Sequence, residues 1–136
     1  MDSTPTFERQ RERKGTRDTR VISVVDDDES LRRSVRNFLR SVGFRVETFA
    51  SAEDFLSSGQ RESTGCLVLD VRMTGMSGLD LLRYLAAANA RVPAVVLTAH
   101  GDAEMRRRCL GAGAVAFLDK PFHGEALLDA VQTALG

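Results

Sequence analysis

Residues 21–29 read VISVVDDDE, a short run of β-branched residues that ends abruptly in four acidic side chains. So little polar alternation is typical of a strand that is buried on both faces of a sheet. Similar runs predict four more strands, and apolar residues at helical spacing between the strands predict five helices. The further strands lie at residues 45–49, 66–69, 93–97 and 115–118. This alternation predicts a doubly wound α/β fold, an open five-stranded parallel sheet with helices on both faces.

The composition is that of one globular domain. The chain has 136 residues, 43% hydrophobic and 28% charged, which leaves no room for a second core. We expect no membrane partner, since no apolar run reaches the ~18–20 residues that a span needs. The 19 basic and 19 acidic side chains balance, which argues against direct nucleic-acid contact. The two cysteines are too few for a disulfide framework, so we expect reduced thiols and a cytoplasmic location.

Residues 1–20 differ from the rest of the chain. They hold six basic and four acidic side chains, with Phe7 as the only large hydrophobic residue. This composition predicts a flexible charged N-terminal tail, followed by the folded domain at residues 21–136. Such a tail is usually a solvated end, although a basic tail could also dock on an acidic partner.

Polar side chains stand where four of the five predicted strands end. The first strand runs into residues 26–29, all acidic, and the others end at Asp70, Thr98 and Lys120. Each residue alone has an ordinary explanation, because acids often begin helices and lysine is usually solvated. Their coincidence at the carboxyl ends of the strands, where such sheets bind ligands, predicts one functional site.

The chemistry of this set indicates phosphoryl transfer. If the first and third strands are neighbours, Asp26, Asp27 and Asp70 converge, and two carboxylates ~4 Å apart repel by about 4 kcal/mol. A divalent cation with hard oxygen ligands, Mg²⁺ or in its place Mn²⁺, removes that repulsion. Beside it, Lys120 and Thr98 could bind phosphoryl oxygens, and Asp70 is placed to act as a nucleophile that forms an aspartyl phosphate.

Four segments carry a family resemblance. Residues 25–29 (VDDDE), 69–73 (LDVRM), 98–99 (TA) and 117–122 (FLDKPF) resemble, in order and spacing, the receiver domain of bacterial two-component response regulators. The likeness covers about residues 20–136. Residues 47–56 (ETFASAEDFL) and 98–102 (TAHGD) are most similar to receivers that precede LuxR-type DNA-binding domains.

The resemblance implies a flavodoxin-like strand order of 2-1-3-4-5 and a signalling domain rather than an enzyme. It implies that Asp70 accepts a phosphoryl group from a sensor histidine kinase. It also implies that Asp27, Asp70 and the backbone carbonyl of Arg72 bind the cation, with Asp26 acting through water. The resemblance further implies that the domain controls a downstream process, which we expect to be transcription.

The resemblance also implies roles around the phosphoryl group. Lys120 would pair with its oxygens, and the Lys120–Pro121 peptide bond would be cis. Thr98 would be the hydroxyl switch, and Phe117 the aromatic side chain that follows it. Arg72 and His100, each two residues past a site residue, would tune dephosphorylation.

The face formed by predicted helix 4, at about residues 102–112, and predicted strand 5, at residues 115–118, is the expected output surface. Arg106, Arg107 and Arg108 fall on predicted helix 4. A solvated helix face and a homodimer contact formed on phosphorylation explain these arginines equally well.

Two features depart from the family pattern. Receivers commonly carry Met-Pro after the phosphorylated strand, whereas Met73 is followed by Thr74, so we expect a looser loop. No output domain follows Gly136, which fits either a stand-alone receiver or a part of a longer regulator.

Three rival functions fit the sequence less well than a receiver. A haloacid-dehalogenase-like phosphatase needs a second aspartate two positions after its nucleophile, where this chain has Arg72. A flavodoxin-like cofactor binder needs a glycine-rich phosphate loop after the first strand, where four acids stand instead. A receiver-like interaction module that is never phosphorylated would not need the full set of aspartates, threonine and lysine.

Overall fold

The computed structural model describes residues 20–90, 92–99 and 103–136. His100 and most of the predicted tail, residues 1–19, lie outside the described residues. No helix in the described ranges is long and apolar enough to cross a membrane.

Strands and helices alternate along the described chain, as predicted. The strands are β1 (Val21–Val25), β2 (Val46–Phe49), β3 (Thr64–Asp70), β4 (Ala94–Thr98) and β5 (Ala114–Asp119). The helices are α1 (Glu29–Ser41), α2 (Ala52–Ser57), α3 (Gly78–Ala87), α4 (Ala103–Gly111) and α5 (Gly124–Leu135). All neighbouring strands pair in parallel, in the order β2-β1-β3-β4-β5, which confirms both the fold class and the strand order.

The strand register aligns the carboxyl ends of β1, β3, β4 and β5. Val25 of β1 lies opposite Leu69 of β3, and Leu69 lies opposite Val96 of β4. Val96 in turn lies opposite Phe117 of β5. Because β1, β3, β4 and β5 are aligned in this way, the residues one to three positions further along all emerge at the same edge of the sheet.

Alternate strand residues face two apolar layers. On one face, core residues of β1, β3, β4 and β5 pack with α2, α3 and α4, including Phe55, Leu82 and Cys109. On the other face, the strands pack with α1 and α5, including Leu39 and Val131. Burial on both faces explains why β1, β3 and β4 lack polar alternation.

Strand β3 begins two residues earlier than its apolar run predicts. Thr64 is buried at the start of the strand. Its hydroxyl lies 2.7 Å from the hydroxyl of Ser23 on β1 and also donates to the carbonyl of Gln60. A buried polar side chain is tolerated where its hydrogen bonds are satisfied in this way.

Close backbone packing positions the end of β3. Ser77 caps α3 in a capping box with Asp80. A Cβ atom at Gly78 would collide with the backbone carbonyl oxygen of Asp70. Glycine at this position therefore lets α3 begin directly against the strand end that carries Asp70.

Arg20, the residue before β1, contacts the folded domain. Arg20, placed in the tail by composition, packs along Gly65 and donates to the carbonyl oxygen of Leu135 at 3.3 Å. The guanidinium group therefore links the start of β1 to the end of α5.

Candidate functional site

Three aspartates form an acidic pocket at the carboxyl ends of β1 and β3. Asp26, Asp27 and Asp70 each place one carboxylate oxygen within 4.8 Å of the others. Asp26 is only 1% exposed and Asp70 8%, whereas Asp27 is exposed. The predicted convergence of these side chains is therefore observed. Three carboxylates supply the hard oxygen donors that suit a divalent cation.

Lys120 joins the two buried members of the acidic pocket. Its Nζ atom lies 3.3 Å from Asp26 Oδ2 and 3.5 Å from Asp70 Oδ2. The backbone N–H of Lys120 donates to the carbonyl of Thr98 at 2.7 Å, and the Lys120–Pro121 peptide bond is cis, as expected. The backbone thus directs this ammonium group into the pocket.

Thr98 and Phe117 lie on the neighbouring strands. Thr98 ends β4 with 1% exposure, opposite Asp119 of β5. Phe117 is buried in β5, and the guanidinium carbon of Arg106 on α4 lies 5.7 Å from the centre of its ring. Phe117 thus links the sheet to the outer helix α4 close to the strand end that carries Lys120.

The backbone and one unpredicted arginine hold Asp26. Its Oδ1 atom accepts from the N–H of Asp28 at 2.9 Å, and its own N–H donates to the carbonyl of Phe49. Arg32 on α1 donates to the carbonyl oxygen of Asp26 at 2.7 Å. Sequence reasoning missed Arg32, whose only signal was a basic side chain in the helix that follows the acidic run.

The β3–α3 loop, residues 71–77, borders the acidic pocket. The N–H of Arg72 donates to Asp70 Oδ1 and the N–H of Thr74 to Asp27 Oδ2, both at 3.4 Å. Thr74 can make this bond because it has the N–H that proline lacks. A cleft of about 610 Å³, lined in part by Asp27 and Arg72, opens beside the loop. The loop lacks the usual proline, and its amides bind to the pocket's own carboxylates.

The environment favours the protonated forms of the two buried aspartates. Burial raises the pKa of Asp26, and the nearby charge of Asp70 adds to this effect. Burial also raises the pKa of Asp70, with a smaller contribution from Asp27. The Lys120 ammonium opposes both shifts without cancelling them. At neutral pH the ionisation of these two carboxyl groups therefore lowers the free energy of unfolding, and added positive charge would offset this loss.

Asp70→Asn should stabilise the protein at pH 7 by on the order of 1 kcal/mol, the scale of a modest charge effect. The folded protein holds the Asp70 proton more tightly than the unfolded chain, so stability falls as pH rises above the ordinary pKa of 3.8. The advantage of the variant should shrink as pH is lowered toward that value. Urea unfolding at several pH values measures it.

The exposed Asp54 on α2 supplies a matched control, since Asp54→Asn removes one charge outside the pocket. A variant Asp70→Asn that is no more stable than the parent at pH 7 would show that ionised Asp70 carries no cost.

The chain matches the family model described as "Response regulator receiver domain" over residues 22–132. It is 49% identical over 114 residues to nodulation protein W of Bradyrhizobium diazoefficiens, covering 84% of this chain and 50% of that relative. It is 42% identical over 115 residues to the transcriptional regulatory protein FixJ of Azorhizobium caulinodans, covering 85% and 54%.

Solved structures agree with the sequence relatives. The structure of the response regulator StyR has a TM-score of 0.79 and 52% identity, covering 85% of this chain and 58% of that one. The chain spans about half the length of the curated relatives it matches. The family model covers most of the chain, and its fold and acidic pocket agree with that match. This chain therefore belongs to the response regulator receiver family, and it is a signalling domain rather than an enzyme.

Proposed function

We propose that this chain is a phosphorylation switch in which Asp70 accepts a phosphoryl group from a phosphohistidine of a sensor histidine kinase. The observation that carries the proposal is the position of the Lys120 ammonium, within 3.5 Å of the carboxylates of both Asp26 and Asp70. A lysine paired with two buried acids supplies positive charge where phosphoryl oxygens would arrive.

In the proposed transfer, an oxygen of the Asp70 carboxylate attacks phosphorus. The new P–O bond forms while the P–N bond of the phosphohistidine breaks, and its electron pair returns to the imidazole nitrogen. The product is an aspartyl phosphate on Asp70 and a free histidine on the kinase.

We propose Mg²⁺, or Mn²⁺ in its place, as the cation of the acidic pocket. Asp27, Asp70 and the backbone carbonyl of Arg72 would hold it directly, and Asp26 through water. When bound, the cation supplies positive charge that offsets the repulsion between the carboxylates and the incoming phosphate. The three converging carboxylates support this assignment.

The neighbouring residues receive roles in the switch. Lys120 would bind phosphoryl oxygens, Thr98 would donate its hydroxyl to another, and Phe117 would move when Thr98 does. Arg72 and His100 would tune the lifetime of the phosphoryl group. The role of Arg72 is tested by measuring how fast the phosphoryl group is lost from the phosphorylated Arg72→Ala variant. A rate of loss equal to that of the parent would contradict the role.

Incubation with Mg²⁺ and a small phosphodonor such as acetyl phosphate should add one phosphoryl group to the parent chain, because Asp70 is the proposed nucleophile. Intact-mass spectrometry measures the gain. Asp70→Asn should gain less than about a tenth as much, since its amide is a poor nucleophile.

Asp54→Asn is the matched control and should gain the group like the parent. An unmodified parent would be examined again by NMR with beryllofluoride, because an acyl phosphate can hydrolyse quickly. If Thr98 and Phe117 were also unperturbed, the switch would be contradicted.

We further propose that the α4/β5 face pairs with a second copy after phosphorylation. Leu110 on α4 and Val115 on β5 are large apolar side chains that are more than 40% exposed. Arg107 is exposed on α4 three residues before Leu110, and Arg106 already contacts Phe117. Exposed apolar groups beside arginine are typical of an interface.

Arg107→Glu should weaken such a dimer roughly tenfold, because two copies would then place new negative charge on the shared face. Sedimentation velocity with Mg²⁺ and beryllofluoride measures the dimer. Arg45→Glu, at an exposed position before β2, is the matched control. A parent that remains monomeric under these conditions would contradict the pairing.

The organisation of the regulator is also a proposal. Residues 21–136 would be the receiver and residues 1–20 an appended charged tail. The relatives named as transcriptional regulators support an output in transcription. Histidine-kinase partnership and buried thiols favour a cytoplasmic location.

A further inference from the structure

Carboxylates accept hydrogen bonds from four backbone amides of the β3–α3 loop. Besides the bonds of Arg72 and Thr74 to the acidic pocket, the N–H of Ser77 donates to Asp80 Oδ2 at 3.3 Å. The N–H of Met76 donates to Oε2 of Glu53 on α2 at 2.9 Å, the shortest of the four. Glu53 is the acceptor that lies outside both the acidic pocket and α3.

The loop rests directly on the Glu53 carboxylate. Gly75 has a positive φ of 80°, and a Cβ atom there would lie 2.8 Å from Glu53 Oε2. Glycine thus provides both the conformation and the close approach. Glu53 is itself well anchored, since Phe55 on the same helix is fully buried and packs edge-to-face on Phe49.

Cation binding would change the other restraints on the loop. Asp27 and Asp70 would direct oxygens to the cation, so their long bonds to the amides of Thr74 and Arg72 would weaken. The bond from the Ser77 N–H to Asp80 holds only the start of α3.

Backbone bonds from the Val71 N–H to the Leu97 carbonyl and from the Gly78 N–H to the Val71 carbonyl hold the two ends of the loop. Between these ends, the Glu53 bond would be the main restraint on the residues that follow the Arg72 carbonyl.

We propose that Glu53 is a positioning residue, which holds the β3–α3 loop so that the Arg72 carbonyl stays at the cation site in a chain with Thr74 instead of the usual proline. The inference rests on the proposed function, because it assumes that the acidic pocket binds Mg²⁺. Glu53 acts through the loop and does not itself contact the cation.

Titration with Mg²⁺ alone, followed by NMR amide shifts, tests the role. Glu53→Ala should lower the affinity for Mg²⁺ roughly threefold to tenfold, the usual effect of one net hydrogen bond. Glu53→Gln keeps an oxygen acceptor for the Met76 N–H and should stay within about twofold of the parent. Asp54→Asn, which removes a charge one residue away without touching the loop, should bind Mg²⁺ normally.

Hydrogen exchange without Mg²⁺ gives an independent readout. The Met76 amide should exchange faster in Glu53→Ala than in the parent or in Glu53→Gln. Normal Mg²⁺ binding by Glu53→Ala would overturn the inference, and so would equal losses in Glu53→Ala and Glu53→Gln, which would indicate a charge effect. A parent that does not bind Mg²⁺ would overturn the proposed function as well, which separates the two failures.

Discussion

The ammonium group of Lys120 between two buried carboxylates is the interaction on which the site depends. Asp26 and Asp70 end adjacent strands, and burial leaves each with a raised pKa even beside Lys120. One lysine therefore offsets only part of the cost of the two buried acids. The pocket has an excess of negative charge, which favours binding of further positive charge.

The fold brings these charges together through the backbone. The parallel register aligns the carboxyl ends of β1, β3, β4 and β5, so that even short polar side chains at these ends lie close to one another. Gly78 lets α3 begin against the carbonyl of Asp70, and the Lys120 N–H is held by the carbonyl of Thr98. The acidic pocket and the packing of Phe117 against α4 therefore lie near the same edge of the sheet.

The acidic pocket could be predicted from the polar residues at the strand ends, because recognising a buried run and the residue after it needs only local sequence. A buried run followed by Asp26, Asp70, Thr98 or Lys120 places each residue at the same edge once the sheet is parallel. The contacts of Arg32 with Asp26 and of Glu53 with Met76 were not predicted, because they depend on how α1 and α2 pack. The extra length of β3 was missed because Thr64 satisfies its hydroxyl with a residue 41 positions away.

The most direct measurement of the central claim is an NMR titration of the aspartate carboxyl carbons with and without Mg²⁺. The account predicts that Asp26 and Asp70 titrate above the ordinary value of 3.8 without the cation. Adding Mg²⁺ should move both titrations to lower pH, because positive charge favours the ionised forms. Carboxyl groups that titrate at or below the ordinary value, or that do not respond to Mg²⁺, would contradict the account.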